Sequence, residues 1–353
     1  MGPYIPAILF KFGLGRRPVT ALIDIASAIL WVVLIFMTEK LFWLGFVVRV
    51  LQGFVLGAMA GIGPLLLLEI SPIDQTGLYG TFNQIFAVIG AIFMFLIGEY
   101  QKPYVMCIFS VCVHVLQLFL IWVIPAEAFK ERKVEQDDKP KESICQKKYI
   151  WPFIILFVLM LCQQFSGINA IVSDLAGIFE RAGIKGIRPG VQAVIATLAQ
   201  ILACCVSGVL IKTLGRRAMF TISGIMCAAT LITFGCNNKF NWNDVLPVIL
   251  IFLYGFAYGL GLGPIPWYSS PEMFDPSIRP IAASINGMAS RIFCFVIVYI
   301  SPAIQKSKIG MPGLMIFYGI ISFLGGIFGF FFVREPVVPT DISEDPKSDY
   351  DSI

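Results

Sequence analysis

The chain has 353 residues, of which 58% are hydrophobic and 14% charged, and a formal net charge of +4. Soluble domains carry about 45–50% apolar and about 25% charged residues, so the composition excludes an ordinary soluble protein and points to an all-α polytopic membrane protein. The modest net charge gives no sign of nucleic-acid binding, and the nine cysteines show no paired or metal-like spacing.

A helix needs about 20 apolar residues to cross a bilayer. Residues 1–10 fall short of that and carry Pro3 and Pro6, so they read as the tail of a helix and not as a signal peptide. The triplet Gly15-Arg16-Arg17 follows, and spans are then predicted over 19–38, 43–68, 78–98 and 104–124. Arg49 lies inside the second span, where an arginine can snorkel to the interface. The single histidine, His114, lies in the fourth and reads as a packed residue. A polar stretch of mixed charge, Glu127–Lys148, reads as a solvated linker. Six further spans are predicted over 150–173, 189–211, 218–236, 245–268, 281–304 and 312–333. The tail from Val337 is rich in Asp and Ser and reads as disordered. Cysteines inside these runs, such as Cys204 and Cys205, read as small buried hydrophobes.

Loop charge sets the expected orientation. One set of chain ends and loops collects 16 Lys and Arg residues, the opposite set eight. The richer side is read as cytoplasmic, with both termini on it.

The triplet returns as Gly215-Arg216-Arg217. Gly15 stands 54 residues before Glu69, and Gly215 stands 57 before Glu272; each glutamate opens a Pro-bearing turn. This spacing marks a two-fold repeat, a plan in which transporters bind substrate between the halves near the midplane. About 65 residues from Ile150 precede the second triplet, but only fourteen precede the first. The expected organisation is an incomplete N-terminal bundle over 1–124, a cytoplasmic linker over 125–149, a six-helix bundle over 150–336 and a tail over 337–353. That makes about ten full helices and a partial one.

Three groups of residues carry chemistry. Gln163, Gln164 and Asn169 fall within seven residues of one apolar span. Burying amides in hydrocarbon without partners is costly, so they need each other or a polar cavity. Gly167 permits the unwinding that brings Asn169 to the glutamines, and amides donate and accept as a polyol's hydroxyls require. Pro264 and Pro266 must break regular helical bonding, and a broken membrane helix lines a cavity or a moving gate. Trp267 beside the break offers an apolar face and an N–H to a sugar, or serves as an interfacial belt residue. Finally, Arg16, Arg17, Glu69, Arg216, Arg217, Glu272 and Arg279 recur at equivalent span ends, where they are either solvated or form a network that locks one side. Arg291 reads as a charge near the cytoplasmic end of its span reaching headgroups, with contact to an anionic ligand as the alternative. No nucleophile–base pair, metal-ligand cluster or nucleotide-binding motif stands out, so the chain reads as neither an enzyme nor a pump, and no cofactor is expected.

Taken together, QQFSGIN, GPIPWYSSPEMF with Arg279, EISP with GTFNQ, and both triplets resemble the sugar porter branch of the major facilitator superfamily. The resemblance implies a two-bundle fold and transport of a hexose or related sugar by alternating access, facilitative or proton-coupled. It implies Gln84, Gln163, Gln164, Asn169, Gln200 and Trp267 as sugar ligands and Arg49 as a coupling residue. It also implies a cytoplasmic gate built from the recurrent arginines and glutamates, and a plasma-membrane location. The chain departs from the family pattern at Ser173-Asp174, Gly259 and Ser290-Arg291 among the ligand positions, and at Phe12, Gly13 and Thr76 in the gate. These departures and the short first half leave a sugar sensor or non-transporting relative as the alternative.

Overall fold

Each apolar run long enough to span a bilayer becomes a long helix in the computed structural model. The structure describes residues 2–37, 41–72, 75–124, 146–175, 177–178, 188–240, 242–243, 245–275 and 278–333. Most of the expected linker and the whole expected tail lie outside these residues. The first half comprises a short α1 (Tyr4–Lys11) and four long helices: α2 (Arg16–Ile35), α3 (Phe42–Ile70), α4 (Thr76–Tyr100) and α5 (Pro103–Val123).

The second half opens with α6 (Ile150–Phe165) and its short continuation α7 (Ile168–Ser173). Helical geometry then continues over 52 residues, Pro189–Phe240, interrupted at Gly215 with φ 78° and ψ 165°. An unbroken helix of that length would extend about 78 Å, well over twice the roughly 30 Å of bilayer hydrocarbon. Gly215 lacks the Cβ that makes this conformation costly for other residues, and it turns the chain between α8 (189–214) and α9 (216–240). There follow α10 (Leu246–Ala257), a π-helical turn (Tyr258–Leu262), α11 (Ile265–Glu272), α12 (Arg279–Lys306) and α13 (Gly310–Phe332).

Nine stretches are long and apolar enough to cross a membrane, and one of them contains the corner at Gly215, giving ten passages among the described residues. Large apolar side chains such as Trp43, Phe46, Phe119, Phe295 and Phe331 stay exposed on the outer faces. In water such a surface would drive association; against hydrocarbon it matches its surroundings.

Within the first half, α2 packs on α3 and α5; within the second, α8 and α9 pack on α10 and α13. The halves meet where α4 lies along α8 and α3 along α12. The largest buried cluster belongs to the second half, with Leu159, Phe220, Phe234, Tyr254 and Tyr318 at its centre, while Val19, Ile23, Ala58 and Ile62 form a smaller one in the first.

One polar link ties α2 to α5. His114 Nδ1 lies 3.1 Å from Asp24 Oδ1, and Nε2 lies 2.8 Å from Ser27 Oγ. Asp24 is fully buried. His114 is therefore packed, as expected, but both of its ring nitrogens are also engaged.

A polar cavity between the two halves

Two broken helices build the centre of the molecule. In the first, Gly167 takes φ 87°, which separates α6 from α7. The break swings Asn169 back so that its Nδ2 donates to Gln164 Oε1 at 2.7 Å. An unbroken helix would not place residues five apart in contact. Gln164 Nε2 in turn donates to Ser290 Oγ on α12 at 2.9 Å and, more weakly, to Gln163 Oε1 at 3.3 Å.

The second break begins upstream of the prolines. The π-helical turn Tyr258–Leu262 widens the helix before Pro264, and Gly263 N bonds Tyr258 O, five residues back, at 2.8 Å. Backbone groups freed by a break inside a membrane bundle must find partners, and here side chains supply them. Gln163 Nε2 donates to Gly263 O at 2.5 Å. Ser223 Oγ receives Leu262 N at 2.8 Å and donates to Ala257 O at 2.6 Å. Ser207 Oγ donates to Leu260 O at 2.6 Å, and Asn286 Nδ2 to Pro266 O at 3.2 Å. None of these three residues stood out in the sequence, because an isolated Ser or Asn in an apolar span carries little signal. Replacing Gln163 by leucine strands the Gly263 carbonyl, so Gln163→Leu is expected to cost about 1–3 kcal/mol of stability. Thermal unfolding of the purified chain measures that loss; an unchanged midpoint would show that the tether contributes nothing.

Between the halves lies a cavity of about 480 Å³. Small-molecule sites run to about 300–1,000 Å³. The first half contributes Met59, Pro64, Asn83 and Gln84 from α3 and α4; the second contributes Gln164, Asn169, Gln200, Trp267, Ser290 and Arg291, among others. Five of the six expected ligands, Gln84, Gln164, Asn169, Gln200 and Trp267, thus share one wall system. Gln163 is buried behind Gln164 and tethers the second break. Trp267 faces the cavity, not the rim of the helix bundle. Gln84 and Gln200 bond no other described residue, so their amides are free for a guest. Arg291 overturns the headgroup expectation: it stands twelve residues into the 28-residue α12, about 18 Å from its start, and it lines the cavity.

The pattern of a family described as Sugar (and other) transporter matches residues 5–126 and 126–340. The chain belongs to this family. As a family member with ten apolar passages, it is a multi-pass integral membrane protein. It is 26% identical to solute carrier family 2, facilitated glucose transporter member 2, of Gallus gallus, over 70% of this chain and 55% of that protein. It is 28% identical to member 3 of Homo sapiens over 81% of this chain and 66% of that one. Sugar transporter ERD6-like 6 of Arabidopsis thaliana is 23% identical over 91% of this chain and 74% of that one. The chain thus spans from about half to three quarters of the length of these relatives. Its backbone matches the major facilitator proton:xylose symporter XylE with a TM-score of 0.79, at 17% identity, over 95% of this chain and 83% of that one. An inward open conformation of XylE from E. coli matches with a TM-score of 0.69 at 18% identity, over 95% of this chain and 84% of that one.

The recurrent arginines and glutamates of this family member gather at one end of the bundle. Arg16 grips Glu69 in a fork, Nη2 to Oε1 at 2.7 Å and Nε to Oε2 at 2.9 Å. Such bidentate pairs add geometric specificity to charge. Arg17 lies over the Trp122 ring at 5.9 Å. Arg216 is buried over the Tyr268 ring at 5.1 Å. Arg217 Nε donates to Val333 O at 3.2 Å and Arg279 Nε to Phe274 O at 3.1 Å. Glu272 closes α11, and its side chain is outside the described set. At the same end, Lys148 and Tyr149, just before α6, both bond Asp275. Arg49 stays apart from the cavity: it donates to Gln52 Oε1 at 3.2 Å and lies over the Trp31 ring at 5.5 Å.

The halves touch at the arginine end through an aromatic ring. A Cβ on Gly80 of α4 would lie 2.4 Å from Tyr268 of α11, so the ring rests on bare backbone. The same ring carries the Arg216 guanidinium.

Proposed function

We propose that the chain carries a hexose or related monosaccharide across a membrane by alternating access. The observation that carries this reading is the convergence of amides from four helices and an indole on one cavity between the halves. Gln84, Gln164, Asn169 and Gln200 offer donors and acceptors to hydroxyls, and Trp267 offers a flat apolar face to the pyranose ring. Gln163 supports the group by holding the second break. No covalent step is needed: the halves rock about the guest, and a solute that binds both access states equally shifts neither. The relatives' names, which speak of glucose and of proton:xylose symport, support the substrate class and leave uniport and proton symport as the two modes.

On this reading the end bearing Arg16, Arg17, Glu69, Arg216, Arg217, Glu272 and Arg279 is the cytoplasmic gate, in keeping with the excess of Lys and Arg there. Both termini then lie in the cytoplasm, and the plasma membrane is the proposed location. The first-half and second-half helices are the two rocking bodies, and the segment over 125–149 joins them.

Uptake of labelled hexose into proteoliposomes containing the full chain tests the reading. Uptake should exceed that of protein-free vesicles and saturate. Gln164→Ala removes a cavity amide together with the partner of Asn169, so the apparent affinity should fall about tenfold, equivalent to about 1.4 kcal/mol. Uptake no greater than in empty vesicles would sink the proposal.

A further inference from the structure

Among the described residues that line the cavity, Arg291 is the only charged one. It forms no hydrogen bond or ion pair with any described residue. Four of the described acids are engaged elsewhere. Asp24 faces His114, Glu69 holds Arg16, Glu99 accepts from Gly190 N, and Asp275 takes Lys148 and Tyr149. Arg291 also sits near the middle of its helix, with twelve residues before it and fifteen after it in Arg279–Lys306, so neither helix end is close. A charge held at that depth is expensive and ordinarily faces a partner or a water-filled cavity. Here the cavity is present and, among the described residues, a hydrogen-bonding or ion-pairing partner is not.

We propose that the cavity accepts an anionic sugar, a monosaccharide bearing a carboxylate or a phosphate, and that Arg291 recognises the charge. This rests on the sugar-transport reading above and narrows its substrate class. The cavity brings two kinds of recognition to one wall. Asn169 bonds Gln164, Gln164 bonds Ser290, and Arg291 follows Ser290 in the chain. A guest whose hydroxyls meet the amides shares the cavity that the Arg291 side chain also lines. The guanidinium is a planar fork that matches carboxylate and phosphate oxygens in pairs. A neutral hexose leaves it without a counter-charge, whereas an anionic one supplies that charge. The guest's anionic group thus replaces the acid that this wall lacks.

The test is equilibrium binding to the purified full chain, using glucose, glucuronate and glucose 6-phosphate as competitors for one labelled sugar. At least one of the two anions should compete at concentrations at least tenfold below glucose. The stronger anion then identifies the source of the charge, a sugar acid or a sugar phosphate. Arg291→Gln should bring the anion and glucose affinities to within about threefold of each other, while Arg291→Lys, which keeps the charge without the fork, should fall between. Thermal unfolding of each variant confirms that it is folded. Glucose binding as tight as both anions in the natural chain overturns the proposal and leaves sugar transport standing. An anion preference that survives Arg291→Gln overturns it as well. Binding of none of the three sugars would sink the transport reading and this one together.

Discussion

Replacing His114 with leucine is expected to destabilise the first-half helices by about 1–3 kcal/mol, the usual cost of leaving a buried polar group without its partner. Asp24 is fully buried, its Oδ1 faces His114, and its Oδ2 has no hydrogen-bond partner among the described residues. Without the imidazole the whole carboxyl group is stranded between α2 and α5. Ser27 loses its partner as well. The informative comparison is the double change Asp24→Leu with His114→Leu. Apolar residues of similar volume often replace a buried pair at no cost, so the double variant should recover most of the stability lost by the single one. Thermal midpoints of the three proteins in one detergent measure this. A double variant no more stable than His114→Leu would show that the loss came from packing and not from the stranded acid.

Gly167→Ala should damage both stability and sugar binding. The residue sits at φ 87°, a conformation that costs other residues about 1–2 kcal/mol. Its new Cβ would also fall 2.3 Å from the ring of Tyr318, which is fully buried and bonded to Ser301. Overpacking of this kind costs about 1–3 kcal/mol more. Relief requires α7 to shift against α13, which pulls Asn169 away from Gln164. The expected result is a lower thermal midpoint and weaker sugar binding together. If Gly167→Ala binds sugar normally, the break does not position Asn169 for the guest.

Much of this architecture is legible in the residues. The apolar runs predict the ten passages because hydrocarbon thickness dictates helix length whatever the tertiary contacts. The triplet Gly215-Arg216-Arg217 marks a corner that glycine's backbone permits. Gly167 marks the point where Asn169 can return to the glutamines, and its contact with Gln164 forms. Other features depend on helices distant in sequence and leave no local mark. Pro264 and Pro266 advertise a break, but the widened turn begins at Tyr258, where Ser207 and Ser223 on α8 and α9 hold the loosened backbone. Gln163 and Gln164 are adjacent and chemically identical, yet one tethers a backbone carbonyl and the other lines the cavity. Arg291 was assigned to headgroups because a charge in an apolar run seeks the nearest water. Helix length puts the residue far from either end, and it lines the cavity between the halves instead. The partnership of Asp24 with His114 joins residues 90 positions apart, which periodicity cannot reveal.

The contact between Tyr268 and Gly80 bears on how fast the molecule works. Interlocked side chains resist sliding because knobs must first leave their holes. Here an aromatic ring lies against a helix that presents no side chain at that point, so there is nothing to disengage. At the Gly80 contact, parting the surfaces forfeits dispersion of about 0.1–0.2 kcal/mol per atom pair, and Arg216 can travel with the ring because both belong to the second half. Such a latch has a low friction and a shallow well. If the chain transports as proposed, this contact favours a turnover limited by the guest's release over one limited by unfastening the protein.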